Sequence, residues 1–273
     1  MPEGPEIKRS ADTIAQAVEG KALLDVRVLW PALKTWEREL AQHQIVKVEA
    51  RSKALLLHWS NHMTLYNHNQ LYGVWYVREN GNVPQTQRAL RLVLQGPEKT
   101  AWLYSATDLM LLTPDELEEH PYLRKLGPDV LNPDTHLDTV LARFQDPRYN
   151  NRRLYSLLLD QGFLAGLGNY LRSEILFVAG VPISYRPKDC SKTQMQKLAE
   201  AALALPRQSY RTAGVTLDPA LSQALKAKGA RRNSYRFYVF AKASEPCVVC
   251  HTSITKTALG GRRIYHCPHC QSV

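Results

Sequence analysis

The chain has 273 residues, of which 44% are hydrophobic and 22% charged, a soluble globular composition with room for two domains. No apolar run approaches the roughly 18 residues that span a bilayer, and no signal-peptide core opens the chain, so a cytoplasmic protein without membrane segments is expected. The net charge of +10 favours a polyanionic partner.

The first residues are Met1-Pro2-Glu3-Gly4-Pro5-Glu6. With Met1 removed, the chain would start with a secondary amine, which is partly unprotonated near neutral pH because an α-amino group titrates at roughly 8. Such an amine can form a Schiff-base intermediate, and Glu3 stands beside it as a proton carrier. Taken alone, the pair is first of all an ordinary helix entry. The segment behind it predicts that helix: Ile7, Ala11, Ile14, Ala15 and Val18 follow a 3.6 period, and Gly20 marks its end. The positive end of the helix dipole would lower the amine's pKa.

Strands are predicted at Gln44–Ala50, Ala54–Trp59, Met63–His68, Tyr72–Val77, Leu90–Leu94 and Thr100–Tyr104, separated by turn residues such as Asn80-Gly81. Their length and spacing suggest a β-sandwich. Thr113 caps a short acidic helix. The breakers Gly127-Pro128-Asp129 and Asn132-Pro133-Asp134 suggest a boundary, with domains at 1–126 and 135–234, a linker at 127–134 and a final module at 235–273.

Helices are predicted beyond the break at Thr135–Phe144, Arg152–Gln161, Asn169–Val178 and Lys192–Leu205. Between the second and third runs Gly162-Phe163-Leu164-Ala165-Gly166-Leu167-Gly168-Asn169. A glycine-rich double turn can present bare backbone N–H groups to a phosphate, or can be a plain helix turn. Asn169 would cap the next helix or bind that phosphate.

From Pro206 onward, eleven lysines and arginines face only Asp218 and Glu245, so the last quarter carries +9 of the +10. Within it lie Cys247-x2-Cys250 and Cys267-x2-Cys270, sixteen residues apart. This is the spacing of a four-thiolate structural zinc site, closed to water. Two zinc-pinned β-hairpins are expected, with Gly260-Gly261 presenting Arg262 and Arg263. His251, His266 and His269 are then bystanders, and Cys190 is a plain free thiol. The basic stretch Leu217–Ser234 is most simply a disordered loop.

The opening Pro-Glu-Gly-Pro-Glu, the Gly-Phe-Leu-Ala-Gly-Leu-Gly-Asn turn and the terminal four-cysteine finger, in that order, resemble the formamidopyrimidine-DNA glycosylase and endonuclease VIII family. The resemblance covers essentially the whole chain. It is nearest the endonuclease VIII branch around Leu65-Tyr66-Asn67-His68-Asn69-Gln70-Leu71-Tyr72-Gly73-Val74-Trp75. It implies an α+β, multidomain protein: an N-terminal helix with a β-sandwich, a helical helix–two-turn–helix domain and a zinc finger. It implies a monomeric bifunctional DNA glycosylase and AP lyase for base-excision repair. The substrate would be double-stranded DNA with oxidised pyrimidines or abasic sites, and the cofactor one structural Zn2+.

On this resemblance Pro2 is the nucleophile, Glu3 the proton donor and acceptor, and Lys53 the lysine that meets phosphate and assists β-elimination. Asn169 holds backbone phosphate, and Arg262 grips phosphate for δ-elimination, with Arg263 the adjacent alternative. Gln70, Leu71 and Tyr72, expected in a hairpin turn, resemble the wedge that fills the space of a flipped-out nucleotide; by spacing alone Leu71 and Tyr72 read as strand core. Lys125 stands where close relatives carry a DNA-contacting arginine and would neutralise phosphate without the bidentate fork. The competing readings are an oxidised-purine glycosylase of the same family, a zinc protein that binds DNA without catalysis, and an RNA-binding zinc protein.

Overall fold

Helix α1 (Gly4–Val18) forms where the 3.6 period predicts it, and its apolar stripe is fully used: Ile7, Ala11, Ile14 and Val18 are each at most 1% exposed. Glu3 and Glu6 form a capping box at its start, in which the Glu6 carboxylate accepts the Glu3 backbone N–H at 3.0 Å. In the computed structural model, which describes residues 2–272, the chain separates into two compact units, Met1–Lys125 and Leu126–Val273. The segment 127–134 pairs within the second unit: Ala165 donates its N–H to the Pro128 carbonyl at 2.9 Å, and Val130 to Ala165 at 3.2 Å.

The first unit is built on two four-stranded antiparallel sheets. Strands β1 (Asp25–Val28), β6 (Leu90–Gln95), β7 (Lys99–Tyr104) and β5 (Val74–Glu79) form one, in that order. The other runs β2 (Ile45–Arg51), β3 (Ala54–Trp59), β4 (Thr64–His68) and β8 (Asp108–Leu112). Val26, Leu92, Leu94 and Leu103 of the first sheet share one core with Leu55, Leu57, Leu65 and Leu109 of the second and with the α1 stripe. Strands β1 and β8 lie outside the predicted set. So does the short helix α2 (Glu37–Gln42), which follows a 3-10 turn at Pro31–Trp36.

Period-2 alternation sends Leu56, Tyr66 and Met110, paired across β3, β4 and β8, to the opposite face of the second sheet. That face is covered in part by the segment after α3 (Pro114–Glu119): His120 packs on Tyr66, with ring centroids 4.2 Å apart. Thr113 caps α3 as predicted, accepting the Glu116 N–H at 3.3 Å.

The second unit packs α4 (Leu137–Gln145), α5 (Leu154–Leu157), α6 (Asn169–Val178) and α7 (Lys192–Arg211) around one core that includes Phe144, Phe163, Leu171, Ile175, Leu198 and Ala202. Helix α5 is a single turn rather than the ten residues predicted, because the chain beyond Leu158 is already committed to the double turn. Helix α7 runs past Pro206 to Arg211. The basic stretch expected to be a disordered loop instead holds α8 (Pro219–Ala227, capped by Asp218) and α9 (Arg232–Arg236). The finger contains one β-hairpin, β9 (Thr255–Leu259) with β10 (Arg262–His266), where two were expected. The first cysteine pair sits instead on a turn closed by the single Pro246–Ser253 bridge. Ile264 of β10 is buried in the helical core.

Candidate active site

Pro2 directly precedes the cap of α1 and is half-buried. Glu3 is only 4% exposed. Burial of a carboxylate at a helix N-terminus is favoured by the unpaired backbone N–H groups and the positive end of the dipole. Pro2 and the Glu3 carboxylate are therefore held together by one structural device, the start of α1.

Lys53 lies in the two-residue turn between β2 and β3, where Arg51 pairs with Ala54. Turn tips are ordinarily exposed, yet Ser52 is 2% and Lys53 8% exposed. Ser52 takes a φ of +62°, and Tyr122 ties the turn down. The Tyr122 hydroxyl donates to Ser52 Oγ at 3.1 Å and accepts the Lys53 backbone N–H at 3.3 Å. The lysine is thus placed by a tyrosine far along the sequence, which the sequence reading did not single out.

Gln70, Leu71 and Tyr72 do not sit in a hairpin turn. They form the connection from β4 to β5, which passes from one sheet to the other. Nor are Leu71 and Tyr72 strand core, since each is 65% exposed. The loop is fixed at its base: Trp75 Nε1 donates to Asn67 Oδ1 at 2.9 Å, and Asn67 Nδ2 to the Asp108 carbonyl at 3.1 Å. Gly73 closes it because a Cβ there would lie 2.8 Å from the Asn69 backbone. Two large apolar side chains are thereby held out on a rigid stalk. Lys125 ends the unit, exposed on a 3-10 turn, while the neighbouring Arg124 is paired with Glu119.

In the second unit the glycine-rich segment forms the expected double turn. Gln161 stitches it: its amide donates to the Leu159 and Leu167 carbonyls at 2.8 and 2.9 Å, and its carbonyl accepts the Gly166 N–H at 3.1 Å. Gly166 has a φ of +94°, a conformation that side-chain-bearing residues rarely adopt. Gly168 is the N-cap of α6, and Asn169 is its first residue rather than its cap.

Asn169 Nδ2 donates to the Arg263 carbonyl at 2.9 Å. Arg172, fully buried, donates to that same carbonyl at 2.9 Å, to Asn169 Oδ1 at 2.6 Å and to the Tyr155 carbonyl at 2.9 Å. The double turn and the finger hairpin are therefore one hydrogen-bonded assembly. Arg262 and Arg263 are exposed at the start of β10, just past the Gly260-Gly261 turn. Glu174, also fully buried, accepts the backbone N–H groups of Tyr238, Val239 and Phe240 at 2.8 to 2.9 Å and the Thr216 hydroxyl at 2.6 Å. Burial pushes its carboxyl pKa up, and these donors oppose that shift. Neither Arg172 nor Glu174 was singled out from the sequence. A charged pair two residues apart in a largely apolar helix was the available signal.

The sulfurs of Cys247, Cys250, Cys267 and Cys270 lie within 4.8 Å of one another and can hold a metal ion. Cys247 and Cys270 are 3.9 Å apart and Cys250 and Cys267 3.4 Å. A tetrahedral ion bonded to four sulfurs at about 2.3 Å requires separations of about 3.8 Å, so the set fits one closed site. The backbone N–H groups of Val249 and Cys270 donate to the first thiol of each pair at 3.5 and 3.4 Å. His251, His266 and His269 lie outside the cluster. Burial pushes the Cys190 thiol up to about 11, as suits an unreactive side chain. No helix among the described residues is long and apolar enough to cross a membrane.

Pro2, Glu3, Lys53, the 70–72 loop and Lys125 thus belong to the first unit, and Asn169, Arg262 and the four cysteines to the second. Residues 1–107 match the formamidopyrimidine-DNA glycosylase N-terminal domain and residues 126–218 the formamidopyrimidine-DNA glycosylase H2TH domain. The chain is 48% identical over 271 residues to endonuclease 8 of Escherichia coli O17:K52:H18 and of Shigella sonnei, covering 99% of this chain and 100% of each relative. Its fold is similar to MutM bound to DNA containing carbocyclic 8-oxo-G (TM-score 0.80, 18% identity, 100% of both chains). It is also similar to Lactococcus lactis Fpg bound to abasic-site DNA (TM-score 0.79, 18% identity, 99% of this chain and 100% of that one). The protein therefore belongs to the formamidopyrimidine-DNA glycosylase and endonuclease 8 family, whose members are DNA glycosylases with AP lyase activity.

Proposed function

We propose that this chain removes oxidised pyrimidines from double-stranded DNA and then cuts the strand at the resulting site, with Pro2 as nucleophile. The observation that carries this reading is the Pro2-Glu3 pair at the start of α1, with Glu3 held 4% exposed beside the residue that becomes the amine. Once Met1 is removed, the Pro2 nitrogen attacks C1′ with its lone pair and the bond from C1′ to the base breaks. The base leaves with a proton supplied through Glu3; the Pro2 nitrogen then loses its N–H proton and its lone pair expels O4′, which takes up a proton through Glu3, so the ring opens to an iminium. That cation withdraws electrons, so a 2′ proton is lost and the C3′–O bond breaks, freeing the downstream strand with a 5′-phosphate end. Loss of the 5′ phosphate follows by the same logic one position further, leaving a one-nucleotide gap.

Lys53 and Arg262 are the cations for the two departing phosphates. Asn169 and Lys125 hold backbone phosphate, and Leu71 and Tyr72 fill the space left by the flipped nucleotide, with Gln70 beside them. The four cysteines would hold Zn2+, which would keep the finger folded and, with no position open to water, take no part in the reaction. The preference for pyrimidines is supported by the similarity to endonuclease 8 and by the Gln70-Leu71-Tyr72 loop. A panel of duplexes carrying oxidised pyrimidines or oxidised purines, with product ends resolved, tests it. Faster excision of the pyrimidines and phosphates at both ends of the gap are expected, whereas faster excision of purines would overturn the assignment.

A further inference from the structure

The outer face of the β2-β3-β4-β8 sheet carries a concavity to which the roles above assign no ligand, although it borders the 70–72 loop and Tyr122. Its volume is about 510 Å3 and its walls are mainly apolar and aromatic, formed by Tyr66, Met110, Pro121 and Tyr122. Its polar groups are few: Gln70, Asp108, His68 and His120. Gln70 Nε2 donates to Asp108 Oδ2 at 3.3 Å, a long contact that a better partner can replace. His120 is 8% exposed, and its Nδ1 is buried with no hydrogen-bond partner among the described residues. Flat apolar walls with a few convergent polar groups suit a planar heterocycle.

The location names the occupant. Gln70 belongs both to the exposed 70–72 loop and to the cavity wall, so the opening adjoins the loop that carries Leu71 and Tyr72. The Asp108 carboxylate repels phosphate but accepts the exocyclic amino group of a base. Oxidised pyrimidines arise opposite adenine or guanine, and both carry such a group. We propose that this cavity receives the base opposite the lesion and that Asp108 reads its exocyclic amino group. The proposal rests on the wedge role of the 70–72 loop given above.

Binding to duplexes that contain a stable abasic analogue tests it, with adenine, purine (adenine lacking its amino group) or thymine opposite. Wild-type protein is expected to bind the adenine duplex about tenfold more tightly than the other two. Asp108→Leu removes that preference. Met110→Trp fills the cavity and lowers affinity for the adenine duplex to that of a duplex abasic on both strands. Borohydride trapping on single-stranded abasic DNA, which has no opposite base, stays unchanged in both variants and shows that they are folded. Equal wild-type affinity for the three duplexes, or a preference that survives Asp108→Leu, would overturn the proposal. Loss of trapping in the wild type would instead count against the catalytic reading.

Discussion

Arg172 shows how much one side chain can organise. Its guanidinium satisfies the Tyr155 and Arg263 carbonyls and Asn169 Oδ1 at once, inside a core where water cannot substitute. Arg172→Met should lower the unfolding free energy by about 3 kcal/mol in urea titrations, because it leaves buried acceptors without charged donors. In the same variant the products should shift from δ- toward β-elimination, since the strand that carries Arg262 loses an anchor; Arg172→Lys restores part of this. Glu49 offers a pH test. Its carboxylate bonds His58 and Lys47, and the His58 bond above all holds its pKa at about 2. A depressed folded-state pKa means stability that is present above the unfolded value near 4.5 and lost as pH falls toward 2. The stability difference between wild type and Glu49→Gln should therefore be constant at neutral pH and vanish across that acid window. The helix entry at Pro2-Glu3 and the cysteine cluster were legible because their signals are local in sequence. Arg172 and Tyr122 were not, because their partners are brought to them only by the fold.

The two elements that reach outward behave oppositely on truncation. Leu71 and Tyr72 are mostly exposed, so replacing both with Ala should change stability by no more than about 0.5 kcal/mol. Excision from duplex DNA should fall about tenfold or more, while cleavage of single-stranded abasic DNA holds. The finger hairpin, by contrast, depends on its ion. Structural zinc contributes on the order of 10 kcal/mol in small finger modules, so Cys247→Ser should abolish stoichiometric zinc and duplex binding together, as metal analysis and gel shift would show. The predicted strands and helices largely followed period-2 and 3.6 patterns, and those with a clean stripe appear where expected. The failures have physical causes. Strand β8 (DLMLL) presents apolar residues to both faces of its sheet, so it shows no alternation, and its Met110 ends in a cavity wall. The loop after β4 looked like a hairpin because local turn signals cannot reveal that the next strand joins another sheet.

Across the whole molecule, charge and chemistry are divided between the two ends of the chain. Pro2 and Glu3 lie in the first three residues, whereas +9 of the net +10 lies in the last quarter. Neither unit alone holds all the groups assigned above to the proposed reaction. Binding should weaken steeply with salt, and Lys125→Ala should lower affinity on all duplex sequences alike while reducing the log–log salt slope by about 1. Each unit carries its own sequence motif, while the inclusion of the finger in the helical unit was not legible, since it rests on Ile264 entering that core and on Glu174 gathering three backbone N–H groups. The central claim is that the residue after Met1 becomes the nucleophile. Protein whose intact mass confirms removal of Met1 should be incubated with abasic duplex DNA and borohydride, and the adduct mapped by peptide mass spectrometry. The account predicts a single stable adduct on the Pro2 nitrogen, abolished by prior acetylation of the N-terminus; an adduct on Lys53 or another lysine, or trapping that survives acetylation, would contradict it.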